Sequence, residues 1–109
     1  MIKITINRTE SGQIQSFTMS GHAGFAEYGN DIVCAGASAV SFGALNSVIA
    51  LTGIEPVIEQ EESGFLRCEF PMDLPKETQE KVQLLLEGMV VSLQTIERDY
   101  GKHIKITFK

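Results

Sequence analysis

Cysteine is scarce in this chain. Only Cys34 and Cys68 occur, far apart and outside any metal-ligand spacing, and Met1-Ile2-Lys3-Ile4 lacks the long apolar run of a secretory signal. Free thiols in a reducing cytoplasm are therefore expected. Basic residues are also few: nine Lys and Arg stand scattered among fourteen Asp and Glu, for a net charge of −5. Phosphate backbones demand clustered cations, so a nucleic-acid partner is disfavoured and a basic protein or peptide is electrostatically easier. The chain has no Walker-type phosphate loop, no dinucleotide fingerprint and no paired Cys-His set. Neither a nucleotide cofactor nor a metal is expected. Repeats and low-complexity segments are absent, and no membrane span of roughly 18 uncharged apolar residues is anticipated.

What is present suits one core. At 109 residues the chain reads as a single domain spanning 1–109. Ile2, Ile4 and Ile6 alternate toward one face, and a second run over 14–19 follows the turn-prone Ser11-Gly12, which predicts an opening hairpin. Residues 21–30 hold three glycines and no sustained period, so they read as a long, mobile loop. Asp31 then stands as an N-cap for a helix that runs to about Leu51 and stops at Gly53. Ala35, Gly36, Ala37, Ala39 and Gly43 suit close packing against a sheet, and the near absence of charge predicts a largely buried helix.

Residues 56–62 and 65–70 alternate around Ser63-Gly64, with Leu66, Cys68 and Phe70 on one face and the acidic positions in water. Val82, Leu85, Leu86, Met89, Leu93, Ile96 and Tyr100 recur at helical spacing up to Gly101, and 103–108 alternates as a last strand. The order strand, strand, helix, strand, strand, helix, strand predicts an α+β fold, an antiparallel or mixed sheet packed by two helices.

Chemistry concentrates between His22 and Ser38. Cysteine attacks carbonyls as thiolate, and that form is favoured near a helix N-terminus and beside an imidazole. With Asp31 as cap, Cys34 is the third helical residue, inside the turn whose N–H groups lack intrahelical partners. His22 lies in the glycine-bearing loop, which can fold back toward the thiol. Asp31 can cap the helix, orient the imidazole or do both. Ser38, one turn beyond Cys34, either donates into the same cleft or bonds the backbone four residues earlier. Cys68 reads as a core residue and His103 as a surface or edge residue paired with neither thiol. The residues leave two readings: a small buried cysteine at a helix start, or a cofactor-free thiol hydrolase in which His22 takes the Cys34 proton and N–H groups at the helix start stabilise the oxyanion.

The run Gly21-His22-Ala23-Gly24, then Asp31-Ile32-Val33-Cys34-Ala35 and Ser38, resembles the ribosomal-processing cysteine protease family called Prp. The resemblance extends to the length of the chain and its element order. It implies a homodimeric cytoplasmic endopeptidase that removes the N-terminal extension of a bacterial large-subunit ribosomal protein, number twenty-seven, in support of ribosome assembly. It places the nucleophile at Cys34 and the general base and acid at His22. The intervening loop, with Gly21, Ala23, Gly24 and Gly29, becomes a substrate-gating element, and cleavage after phenylalanine implies an apolar subsite. The competing expectations are a non-catalytic assembly factor that binds the same basic protein, and a redox sensor built on Cys34.

Overall fold

The alternating isoleucines form β1 (Ile2–Arg8), which turns through Gly12 into β2 (Ile14–Ser20). Then follow α1 (Ile32–Thr52), β3 (Val57–Glu61), β4 (Phe65–Glu69), α2 (Lys76–Tyr100) and β5 (Ile104–Phe108), in the order anticipated. The structure is a computed structural model that describes residues 1–27, 31–62 and 64–109.

The strands form one mixed sheet in the order β3-β4-β2-β1-β5, with β1 and β5 parallel and the other neighbours antiparallel. By those pairings β2 runs parallel to β3, and β4 to β5. Each helix is therefore a crossover between parallel strands, because no tight turn can join such a pair. α1 spans β4 to reach one edge, and α2 spans β2 and β1 to reach the other. The helices pack on each other over the face that carries Ile4, Ile6, Phe17, Leu66 and Ile104, all nearly or fully buried. Each such side chain contributes roughly 1.5–3 kcal/mol of burial.

A bulge adjusts the register of the first hairpin. Asn7 pairs with Ser16 but Arg8 pairs with Ile14, which leaves Gln15 as an extra residue. Ile14 and Phe17, three positions apart, can then both face the core, where a regular strand would send one of them outward. Gln83 of α2 clamps the bulge, accepting the Ile14 N–H at 2.7 Å and donating to the Ile14 carbonyl at 2.9 Å.

Two expectations about α1 are corrected. The helix buries a single stripe, Val33, Ala37, Ser41, Leu45 and Val48, while Ile32 and Leu51 are 58% and 71% exposed. Its small residues allow close approach on one side without enclosing the other. Moreover, its 21 residues carry no charged side chain and reach a mean hydropathy of 1.7, so by length and composition the helix passes the test for a membrane span. A stripe packed against a sheet and a second helix is what a core helix shows.

Candidate active site

The site is assembled around the start of α1. Asp31 Oδ1 accepts the N–H of Val33 at 2.9 Å and of Cys34 at 3.1 Å, which is the N-cap arrangement. Its Oδ2 accepts the N–H of Phe25 at 2.9 Å and of Ala26 at 3.2 Å. Burial opposes the charge, but these four backbone donors outweigh it and hold the carboxyl below its usual range. One carboxylate thus fixes the helix start and staples the preceding loop to it. The Ala35 N–H bonds the Asp31 carbonyl at 3.0 Å. Because the N–H groups of Val33, Cys34 and Ala35 are all engaged by Asp31, the expectation that they serve an oxyanion is corrected.

The N–H that reaches the sulfur comes from the loop. Ala23 donates to Cys34 Sγ at 3.2 Å, and Ala23 itself is only 3% exposed. Two residues upstream, the Gly21 N–H donates to the Gly64 carbonyl at 3.0 Å and draws the His22 segment against the β3–β4 connection. Both glycines hold positive φ, +87° and +89°. A Cβ on Gly21 would collide with the Met1 carbonyl, and one on Gly64 would lie 3.0 Å from His22 Cε1 and 3.1 Å from Nε2. The imidazole therefore rests on a surface that only glycine leaves open.

Cys34, Ser38 and Phe42 follow at helical spacing and share one face of α1, turned one residue from the buried stripe. With His22 and Leu66 they line a cavity of about 610 Å³. A second cavity, of about 510 Å³, shares His22, Cys34 and Ser38 and adds Gly24, Ala26 and Asp31. His22, Cys34 and Ser38 thus border both spaces. Cys68 is 0% exposed in the sheet, and burial pushes its thiol up to about 11. No group of three or more His, Cys, Asp or Glu among the described residues is placed to hold a metal ion.

Similarity to known proteins agrees with this geometry. A sequence model described as Cysteine protease Prp matches residues 1–105. The chain belongs to the Prp cysteine protease family. It is 53% identical to the ribosomal processing cysteine protease Prp of Bacillus subtilis over 108 residues, 98% of this chain and 96% of that one. The ribosomal processing protease Prp of Staphylococcus aureus, in complex with a covalently linked product peptide, has the same fold at a TM-score of 0.91 and 41% identity, over 100% of both chains. A second structure of that protease, with a substrate peptide, gives 0.85 and 39% over 100% of both chains. Family membership makes the chain a cysteine protease, and of its two thiols only Cys34 stands on a cavity wall while Cys68 is sealed in the core.

Three neighbours of the site carry no signal in the sequence. Gly64 meets His22 through the sheet edge. His103, just before the edge strand β5, has its Nδ1 3.0 Å from the Ala23 carbonyl. Phe25 stands edge-on to both Tyr100 and His103, at ring separations of 5.6 and 5.3 Å. Within the loop the N–H groups of Gly21, Ala23, Phe25 and Ala26 each donate a hydrogen bond. Gly29, assigned to the same gating loop, lies outside the described residues.

Proposed function

We propose that this chain is the endopeptidase that removes the N-terminal extension of large-subunit ribosomal protein number twenty-seven, with Cys34 as nucleophile and His22 as general base and acid. The observation that carries the reading is the thiol of Cys34, set on a wall shared by two cavities and facing a backbone N–H. His22 removes the thiol proton, and the thiolate attacks the scissile carbonyl. The Ala23 N–H steadies negative charge on sulfur, and the Ser38 hydroxyl supplies a donor for the oxyanion. As the carbon–nitrogen bond breaks, His22 returns the proton to the leaving amine. Water then attacks the thioester, gives its proton to His22, and releases the acid and the thiolate.

Ile2, Met19, Phe42 and Leu66 offer the larger cavity an apolar lining suited to a phenylalanine side chain. Glu61 and Glu62 stand on its rim, where they favour a basic chain. Cleavage of full-length substrate should therefore slow with salt more than cleavage of a neutral peptide carrying the same site. The family resemblance supports a cytoplasmic homodimer, which sedimentation of the purified protein tests.

The deciding experiment incubates the extended ribosomal protein with wild type and with Cys34→Ala, and identifies products by mass spectrometry. Cleavage at one site by the wild type alone supports the reading. Binding without cleavage by either protein would instead favour a non-catalytic assembly factor.

A further inference from the structure

We propose that His103 is a positioning residue for the Cys34 thiol, acting through Ala23; the consequence for catalysis rests on Cys34 being the nucleophile. A carbonyl oxygen only accepts, so at 3.0 Å from the Ala23 carbonyl the His103 Nδ1 carries the hydrogen and donates it. The amide of the same residue donates to Cys34 Sγ at 3.2 Å. Ala23 is thus held on both sides, its carbonyl by one end of the molecule and its N–H aimed at the reacting sulfur. Its methyl group is buried and offers no other handle on the orientation of either peptide.

The anchor is rigid where the loop is not regular. The His103 N–H donates to the Tyr100 carbonyl at 2.8 Å, closing the turn after α2, and the His103 carbonyl accepts the Ile2 N–H at 2.9 Å, where β5 joins β1. Phe25, two residues beyond Ala23, packs edge-on against the His103 ring. His103 therefore sits on the helix and sheet scaffold and transmits that position to a loop that has no ladder of its own. The thiolate gains most from an N–H held in place before the proton leaves.

The contact has two components, a donor and a ring, which substitution separates. His103→Phe keeps an aromatic ring beside Phe25 and removes the donor, whereas His103→Asn keeps an amide donor near the Nδ1 position and removes the ring. His103→Leu provides a partner of nearly the same shape as Asn without the donor. Each is compared with wild type by thiolate ultraviolet absorbance at fixed pH, with the signal of Cys34→Ala subtracted to remove Cys68, and by the rate of Cys34 alkylation with iodoacetamide. Loss of the His103–Ala23 hydrogen bond leads to a fall of roughly tenfold in alkylation rate for His103→Phe and His103→Leu, with lower thiolate absorbance. His103→Asn is expected within about twofold of wild type. In peptide cleavage the loss should appear in kcat with KM little changed, because substrate does not touch the anchor.

Alkylation at the wild-type rate in His103→Phe, or equal impairment of Asn and Leu, overturns the proposal and leaves only packing. If His103→Phe slows alkylation while Cys34→Ala still cleaves substrate, the positioning role stands and the assignment of the nucleophile falls.

Discussion

The two cysteines of this chain are the same chemical group in opposite settings. Cys68 lies on β4 between β2 and β3, paired opposite Phe17 and Ile58, fully buried, with its thiol pushed up to about 11. Cys34 stands in the first turn of α1, half-buried, on the wall of two cavities and in reach of a loop N–H. Desolvation without a donor keeps the first sulfur protonated, and nothing brings a carbonyl to it. The difference teaches that reactivity resides in what surrounds a thiol, and that the surroundings of Cys34 are drawn from four separate parts of the chain: residues 21–26, Asp31, Gly64 and His103.

The largest expected effect comes from exchanging the two settings' sulfurs for a methyl group. Cys34→Ala should lower turnover by roughly 10⁴-fold or more while leaving the melting curve nearly unchanged. Cys68→Ala should do the reverse, retaining turnover and losing about 1–2 kcal/mol of stability through lost burial and a small void. Peptide cleavage and denaturant titration on the same two variants measure both halves. Comparable loss of turnover in Cys68→Ala would remove the contrast.

Next is the glycine under His22. At Gly64 a Cβ would press on the imidazole at 3.0–3.1 Å and sit on a backbone with φ of +89°. Gly64→Ala is expected to displace the ring and lower kcat/KM by roughly a hundredfold. Alkylation of Cys34 should fall far less than turnover, because the Ala23 donor and the helix cap stay in place. Equal losses in the two assays would mean that the substitution disturbs the whole site rather than the imidazole.

The share of this arrangement that is legible in sequence follows the range of the interactions. Asp31 as cap, Gly53 as stop and the alternation of Ile2, Ile4 and Ile6 are local, and each has a short-range physical cause readable in a few residues. The core position of Cys68 follows from the period of β4. Strand order is different, since β5 pairs with β1 across nearly the whole chain. So is the contact of His103 with Ala23, and that of Gly64 with His22. No periodicity brings such pairs together; the crossovers of α1 and α2 do. The uncharged run of α1 misleads in the other direction, because composition alone does not say which side of a helix is covered.

A smaller effect separates the two duties of Asp31. In Asp31→Asn the amide oxygen can still accept from Val33 and Cys34, but the amide nitrogen would face the N–H groups of Phe25 and Ala26, donor against donor. The helix should persist by circular dichroism, whereas kcat/KM should fall about tenfold as the loop loses its staple. The pH dependence has the sign of a lowered carboxyl: its stabilisation is present above the ordinary pKa of 3.8 and is lost as pH falls through the lower folded value. Acid unfolding of Asp31→Asn should therefore be shallower than that of wild type, and parallel curves would show that the carboxylate contributes nothing through its charge.

The smallest effect belongs to Cys68 and sharpens the contrast from the alkaline side. Its folded value of about 11 lies above the ordinary 9.0, so the unfolded chain releases this proton first as pH rises. The contribution is fully present below 9.0 and is lost progressively between there and about 11. Denaturation of wild type and Cys68→Ala at several pH values isolates it, since every other titrating group is common to both. The stability difference should narrow as the solution becomes alkaline. A constant wild-type advantage across the range would mean that Cys68 ionises as readily in the fold as outside it, and the burial that distinguishes the two sulfurs would not be what sets them apart.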